Sequence, residues 1–292
     1  MVQPVQLIQG RLVGPADLAL IRAWLTAHPS GNRTRLSREL CLLWGWRNQA
    51  GRLKDMAARS LLLQLEVRGQ ISLPPRRTAS VNSARNRTLA PVPHDQSLTH
   101  GPLAALRPLQ LQALSDPSAD LALFKFLLQR YHSLGLRNGV GENIKYLARD
   151  RAGRPLACLL FGSAAWHLRP RDAWIGWNQE QRRRHLFLLT NNTRFLVLPW
   201  VRVPHLASHL LSLVTARLSH DWEHKYGHPI HLMETFVERD RFTGTCYAAA
   251  GWFPVGATTG RTRNHPQHTA TAPVKEVYLQ PLVADFRRRL TA

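Results

Sequence analysis

The stretch RFLVLPWVRVPHLASHLLSLVTARL runs from Arg194 to Leu218, and IHLMETFV follows it from Ile230 to Val237. Arg194–Trp200 is a dense run of Phe, Leu and Val of strand length. Pro204 opens a helix, where its fixed φ is pre-set and its missing N–H is one the helix would leave unpaired anyway. The leucines through Leu218 continue that helix, and Ile230–Val237 is a second strand. Working outward, Leu109–Leu114 reads as a strand and Asp120–Leu134 as a helix. Asn143–Arg149 and Pro155–Phe161 are strands around the turn Asp150-Arg151-Ala152-Gly153. Glu180–Leu189 is a strongly basic helix and Gly244–Ala250 a short one; Trp252–Val255 and Val274–Leu279 are strands. A basic loop, Gly256–Ala272, and a basic end, Arg287–Arg289, complete the region. Strands alternating with helices argue a mixed α/β layered fold over 108–292.

The first 77 residues have another character. Asp17–His28 carries Leu18, Ile21 and Leu25 on one stripe, and Pro29-Ser30-Gly31-Asn32 ends it. Thr34 is placed to cap a second helix to Leu43, and a third spans Arg52–Arg68 with Leu53, Ala57, Leu61 and Leu65 on one side. Gln70–Leu73 reads as a strand before the basic turn Pro74-Pro75-Arg76-Arg77. These are the parts of a winged helix-turn-helix, whose third helix enters the major groove while the wing touches phosphate. Arg52, Lys54 and Arg59, off the apolar stripe, are then groove-side candidates, and Arg76 and Arg77 wing candidates. A helical packing domain with solvated basic faces is the alternative. Residues 78–107, rich in Ser, Asn, Pro, Thr and Arg, are expected to be a basic linker.

Composition restricts the partners. The 292 residues hold 39 Lys and Arg against 18 Asp and Glu, a formal net charge of +21. Such a balance attracts polyanions, DNA above all and RNA as the alternative, with binding driven by counterion release. No run is long and apolar enough for a membrane span, and no secretory leader is expected. The three cysteines, Cys41, Cys158 and Cys246, form no C-x-x-C pair, which fits a reducing, cytoplasmic compartment such as a prokaryotic nucleoid. Arg182-Arg183-Arg184, Arg261, Arg263 and Lys275 extend the candidate nucleic-acid surface. Of the tryptophans, Trp252 is expected in the core and one of Trp174 and Trp177 at the surface.

Two longer motifs carry a resemblance. RDAWIGWN (Arg171–Asn178) with NNTRFLVLPW (Asn191–Trp200), and ETFV (Glu234–Val237) with RFTGTCYAAAGW (Arg241–Trp252), resemble the DruA proteins of the Druantia anti-phage defence system and their mobile-element relatives. Cys41–Leu62, with Gly45-Trp46-Arg47-Asn48 and Leu53-Lys54-Asp55-Met56, is similar to that family's N-terminal part. The resemblance implies a defence or mobile-element setting and partner proteins of such a system. The element order is also similar to that of GNAT acyltransferases, which implies a GNAT-like α/β domain. In those enzymes a Gly-rich loop before the helix holds the pyrophosphate of acyl-CoA. Here Val201–Ser208 has no glycine, and Pro204 brings no N–H to the loop.

Three classes of function stay open: a DNA-binding protein, a metal-dependent nuclease or strand-transfer enzyme, and an acyltransferase acting on a nucleobase or protein. For an enzyme, the catalytic candidates are Asp172, Glu234 and Tyr247. Asp172 and Glu234 would hold Mg²⁺, a hard cation that takes oxygen ligands. The alternative is that Asp172 pairs with Arg171 and Glu234 is structural. His205/His209 and His220/His224 have metal-compatible spacing without the H-E-x-x-H context, so exposed basic surface accounts for them.

Overall fold

A computed structural model describes residues 5–47, 51–75, 89–136, 141–260 and 273–292. The chain divides into two compact units, Met1–Arg87 and Thr88–Ala292.

The N-terminal unit opens with a hairpin, β1 (Gln6–Ile8) paired antiparallel with β2 (Arg11–Val13), followed by α1 (Pro15–Ala27), α2 (Arg33–Leu43) and α3 (Asp55–Val67). Ile21, Leu36, Leu40, Leu61 and Leu65 close a core between the three helices. The cap of α2 is Asn32, whose side chain accepts from the Arg35 N–H; Thr34, expected in that role, lies inside the helix. Gln70–Leu73 joins no sheet. Instead, Arg22 donates to the Gln70 carbonyl and Arg33 to the Pro74 carbonyl, which seats Ile71 and Leu73 in the core. The described residues of this unit therefore hold three helices and a leading hairpin, with no strand between α3 and Pro75. The wing candidates Arg76 and Arg77 lie outside the described residues.

In the second unit the elements are β3 (Thr99–His100), β4 (Gln110–Ala113), α4 (Ala119–Tyr131), β5 (Ile144–Arg149) and β6 (Pro155–Ser163). Next come α5 (Arg169–Ile175), α6 (Gln179–His185), β7 (Leu189–Val197), β8 (Val201–Arg202) and α7 (Leu206–Tyr226). The chain ends with β9 (Leu232–Glu238), α8 (Thr245–Ala249), β10 (Phe253–Ala257), β11 (Lys275–Pro281) and α9 (Phe286–Thr291). A seven-stranded sheet runs in the order β10-β11-β9-β7-β6-β5-β4. All its neighbours are antiparallel except β7 and β9, the pair joined by α7. This is a mixed α/β sheet, as the alternation of strands and helices implied.

The parallel pair holds together for only three residue pairs, Leu189 with Leu232, Thr190 with Met233 and Asn191 with Glu234. Thr193 is an extra residue between the pairs Phe161–Asn192 and Leu160–Arg194, and such a bulge bends its strand. Beyond it β7 and β9 part. One face of the sheet carries α4, α7 and α8 over a core centred on Phe124, Tyr146, Leu159 and Leu211. The other carries α5, α6 and α9 over Ile175, Leu189, Leu232, Val277 and Phe286.

Part of the segment expected as linker belongs to this unit. Thr99 and His100 pair in parallel with Val201 and Arg202, Leu106 is buried, and His94 stacks on Trp200 with centroids 5.3 Å apart. Residues 89–107 thus pack on the domain, and the short strand they add covers the turn before α7. Among the described residues no helix is long and apolar enough to cross a membrane.

Candidate functional site

The two strands at the centre of the sheet place their polar side chains alternately on its two faces. Glu234 falls on the side of α5 and α6, and Thr235 on the side of α8.

On the first side a buried ion-pair cluster forms. The Arg171 side chain is fully buried and donates through Nε and Nη2 to Asp172 Oδ1, at 2.9 and 2.7 Å. Its Nη1 donates to Glu234 Oε2 at 2.8 Å and to the Ala165 carbonyl at 2.7 Å. Glu234 Oε1 accepts the Ala165 N–H at 2.6 Å and the Asn191 amide at 3.3 Å. Asp172 Oδ2 accepts Arg182 Nη1 at 3.0 Å. Burial pushes the Glu234 carboxyl up, and the Arg171 guanidinium and the Ala165 N–H pull it down. Asp172 sits on the short helix α5, ended by Gly176 in the left-handed region, where Asp172's carbonyl accepts from both Gly176 and Trp177.

Asp172 and Glu234 therefore meet, as a metal pair would, but around a guanidinium. Both carboxylates are occupied by arginine or backbone donors, and this donor set does not fit a divalent cation. Among the described residues no group of three or more His, Cys, Asp or Glu side chains could hold a metal ion. Tyr247 does not join them: it lies on the opposite face of the sheet. The predicted catalytic trio is not one site.

Tyr247 lies in a second place, the opening between β7 and β9. Its hydroxyl donates to Asn192 Oδ1 at 2.7 Å, and burial pushes its phenol well above the ordinary range. Together with Thr193, Phe195 and Thr235 it lines a cleft of about 440 Å³. His132, Arg241 and Lys275 also line it; burial and the nearby Arg194 hold His132 down to about 4, hence neutral. Lys275, expected on nucleic acid, belongs to this cleft.

The remaining basic candidates divide sharply. Arg182 is buried in the ion-pair cluster and does not face a ligand. Arg59 is tied to Asp55 at 2.8 Å and approaches Ser37. Arg52 and Lys54 are exposed just before α3, but the exposed side of that helix is apolar, with Met56, Leu63 and Val67 uncovered. Arg183 and Arg184 are exposed on α6, while Arg261 and Arg263 lie outside the described residues. The C-terminal arginines form no tail. They stand on α9, where Phe286 and Leu290 are buried and α6 binds the helix end through Gln181 to Thr291 and His185 to Ala292. On α5, α6 and α9 together, Arg169, Arg183, Arg184, Arg287, Arg288 and Arg289 are exposed. The acidic side chains these helices show to solvent are Glu180 and, at the start of α9, Asp285.

The aromatic residues of this layer also sort differently from expectation. Trp174 stacks on Phe286 with centroids 5.1 Å apart and carries Arg287 at 4.4 Å, and the Trp177 ring N–H donates to the Leu290 carbonyl at 2.6 Å. Both are half-buried. Trp166, which sequence reasoning passed over, is 50% exposed. Its position between a strand end and the Arg169-Pro170 start of α5 was the signal available.

The model of the family described as "Druantia protein DruA" matches residues 82–270. The chain belongs to the DruA family. The match takes in the splayed strands, the ion-pair cluster and α8 of this DruA-family chain. No curated protein matches it. Among solved structures, it is similar to a Vibrio cholerae spermidine N-acetyltransferase in complex with CoA and spermine, at 10% identity, over 58% of this chain and 94% of that one, with a TM-score of 0.38. A putative acetyltransferase from Acinetobacter baylyi gives 10% identity, 59% and 92% coverage and a TM-score of 0.38. A spermidine N-acetyltransferase chimera from Vibrio cholerae and hSSAT gives 8%, 62%, 99% and 0.40. Likenesses of this extent say nothing of activity.

Proposed function

We propose that this DruA-family protein is a DNA-binding component of prokaryotic anti-phage defence, acting in the cytoplasm with partner proteins of its system. The observation that supports it is the surface of α5, α6 and α9, where six exposed arginines face solvent with two acidic side chains among them. Arginines so placed neutralise phosphates and release counterions whatever the base sequence. Arg52 and Lys54, before α3, are a second set of phosphate-binding side chains on the N-terminal unit. The reading needs no catalytic carboxylate, since Asp172 and Glu234 are already neutralised inside the domain.

The test is duplex binding across a salt series. Arg183→Ala with Arg288→Ala is expected to weaken binding and to lower the slope of log K against log salt by about 0.9 for each phosphate no longer neutralised. Arg151→Ala, on the exposed β5–β6 turn, is the control and leaves the slope unchanged. An unchanged slope in the double variant would refute the assignment of this surface.

The cleft supports a second reading, a small extended ligand. Beyond Asn191 and Glu234 the facing edges of β7 and β9 no longer pair as a ladder, which leaves room for an amide's backbone-like bonds there, while the Asn192, Thr235 and Tyr247 side chains already bond one another at the base of the cleft. The turn before α7, paired to β3 and carrying Pro204, offers no glycine cradle for a pyrophosphate. Calorimetric titration with a pantetheine amide and with CoA tests this. Binding of both with no gain from the pyrophosphate supports it, and heat from neither excludes it.

A further inference from the structure

The Arg171–Glu234 cluster does something specific to the loop between β6 and α5. It takes both backbone polar groups of one residue: Glu234 accepts the Ala165 N–H and Arg171 donates to the Ala165 carbonyl. Three residues on, Leu168 is buried and its carbonyl accepts the Asp172 N–H. Between these two anchors Trp166 and His167 are exposed, and Arg169, also exposed, follows directly. No other ring or cation among the described residues stacks on the Trp166 indole. A buried ion pair is a poor source of stability compared with apolar packing. What this one supplies is a fixed backbone under an exposed ring.

The geometry points to Trp166 as a stacking platform for an unpaired nucleobase of a single strand, with His167 and Arg169 beside it for the adjoining phosphates. An indole presents a flat apolar face, and any base can lie on it. A loop already held in place loses little freedom on binding. The charge of the layer selects a nucleic acid over an apolar protein surface as occupant: six exposed arginines stand on the helix that follows the loop and on its two neighbours. In duplex DNA the bases are stacked on one another, so the platform favours single strands. The inference rests on the nucleic-acid reading above and deepens it.

Fluorescence anisotropy of the full chain with labelled oligo-dT, oligo-U, an abasic oligodeoxynucleotide of equal length and a duplex tests it. Trp166→Ala is expected to weaken oligo-dT or oligo-U binding by about 5- to 150-fold, the range of one base–aromatic stack. Duplex and abasic-strand binding and the salt slope stay as in the wild type, because no charge is removed. Trp166→Phe recovers most of the affinity. Equal weakening on all four probes, or none on the single strands, overturns the platform. If Arg183→Ala with Arg288→Ala loses binding while Trp166→Ala does not, the stack alone is wrong; if the wild type binds no probe, the parent reading falls with it. A dimer in sedimentation that Trp166→Ala dissolves would also overturn the proposal and give the ring to self-association.

Discussion

Arg171→Met tests the buried cluster directly. Methionine is unbranched and fills irregular core space, so the change removes charge and hydrogen bonds more than packing. Four hydrogen bonds go: two to Asp172 Oδ1, one to Glu234 Oε2 and one to the Ala165 carbonyl. Asp172 keeps Arg182. Glu234, with no exposure at all, keeps only the Ala165 N–H and the Asn191 amide. Stranding one charge of a buried pair costs about 3–5 kcal/mol. For a unit of this size each kcal/mol moves the melting temperature by about 2–4 °C, so a fall of about 6–20 °C is expected. The pH dependence has a definite sign. Burial already raises the Glu234 carboxyl, and removing Arg171 takes away the largest influence that opposes this push. A carboxyl raised in the folded state binds its proton more tightly folded than unfolded, so stability is lost as pH rises through the folded value. The deficit of Arg171→Met is therefore larger at an alkaline pH than at an acidic one. Thermal unfolding followed by circular dichroism at both pH values reads this out, with Arg171→Met/Glu234→Gln as the second variant, expected to recover most of the loss. A deficit under about 1 kcal/mol, a pH-independent deficit, or a double variant no better than the single one would refute the reasoning.

Tyr247→Phe removes the hydroxyl that donates to Asn192 Oδ1 and leaves a buried acceptor, so chemical denaturation should show a loss of about 1–3 kcal/mol with nucleic-acid salt slopes unchanged. Gly244 has φ +73°, and a Cβ there would stand 2.7 Å from Tyr278 Cζ, so Gly244→Ala should destabilise by more than about 1 kcal/mol in the same assay. Burial is the largest influence on His228 and works against its charged form, but the 2.8 Å hydrogen bond to Glu142, the Pro229 carbonyl and the charges of Glu142 and Glu223 together outweigh it and raise its pKa. That contribution is full below the ordinary value of 6.5 and is lost as pH rises through the raised one; Glu142→Gln should diminish this part of the pH dependence of urea midpoints.

The α/β alternation was legible because its helices and central strands are apolar at the right period. The misreadings have common physical causes. β7 begins at Leu189, five residues before its predicted start at Arg194, because Thr190, Asn191 and Asn192 are buried by hydrogen bonding and carry no apolar signal. Arg287–Arg289 look like a tail, yet Phe286 and Leu290 on either side bury against α5 and α6 and make a helix of the segment. Residues 89–107 lack periodicity because they pack through a few side chains, such as His94 on Trp200, and a two-residue strand. At the site, the sequence singled out Asp172 and Glu234 because acids are scarce, and the structure joins both. What decides their role is Arg171, which local patterning could pair with Asp172 but could not bring to Glu234, 63 positions away.

The placement of the acids is what links the interior to the surface. Fold and charge act together here, because 18 acidic side chains face 39 Lys and Arg. The scarce carboxylates are spent on structure: Asp172 and Glu234 on the loop beneath Trp166, Asp150 on the β5–β6 turn, Asp221 on Arg217 and Tyr146. An excess of this size cannot be neutralised within the chain, so its counterions are small ions or, under the function proposed above, a polyanion that binds through the entropy of the ions it displaces. That gain depends on salt and not on base sequence. Any selectivity in that reading must then come from uncharged contacts, and in the α5–α6–α9 layer the proposed stack on the exposed, clamped Trp166 would supply one.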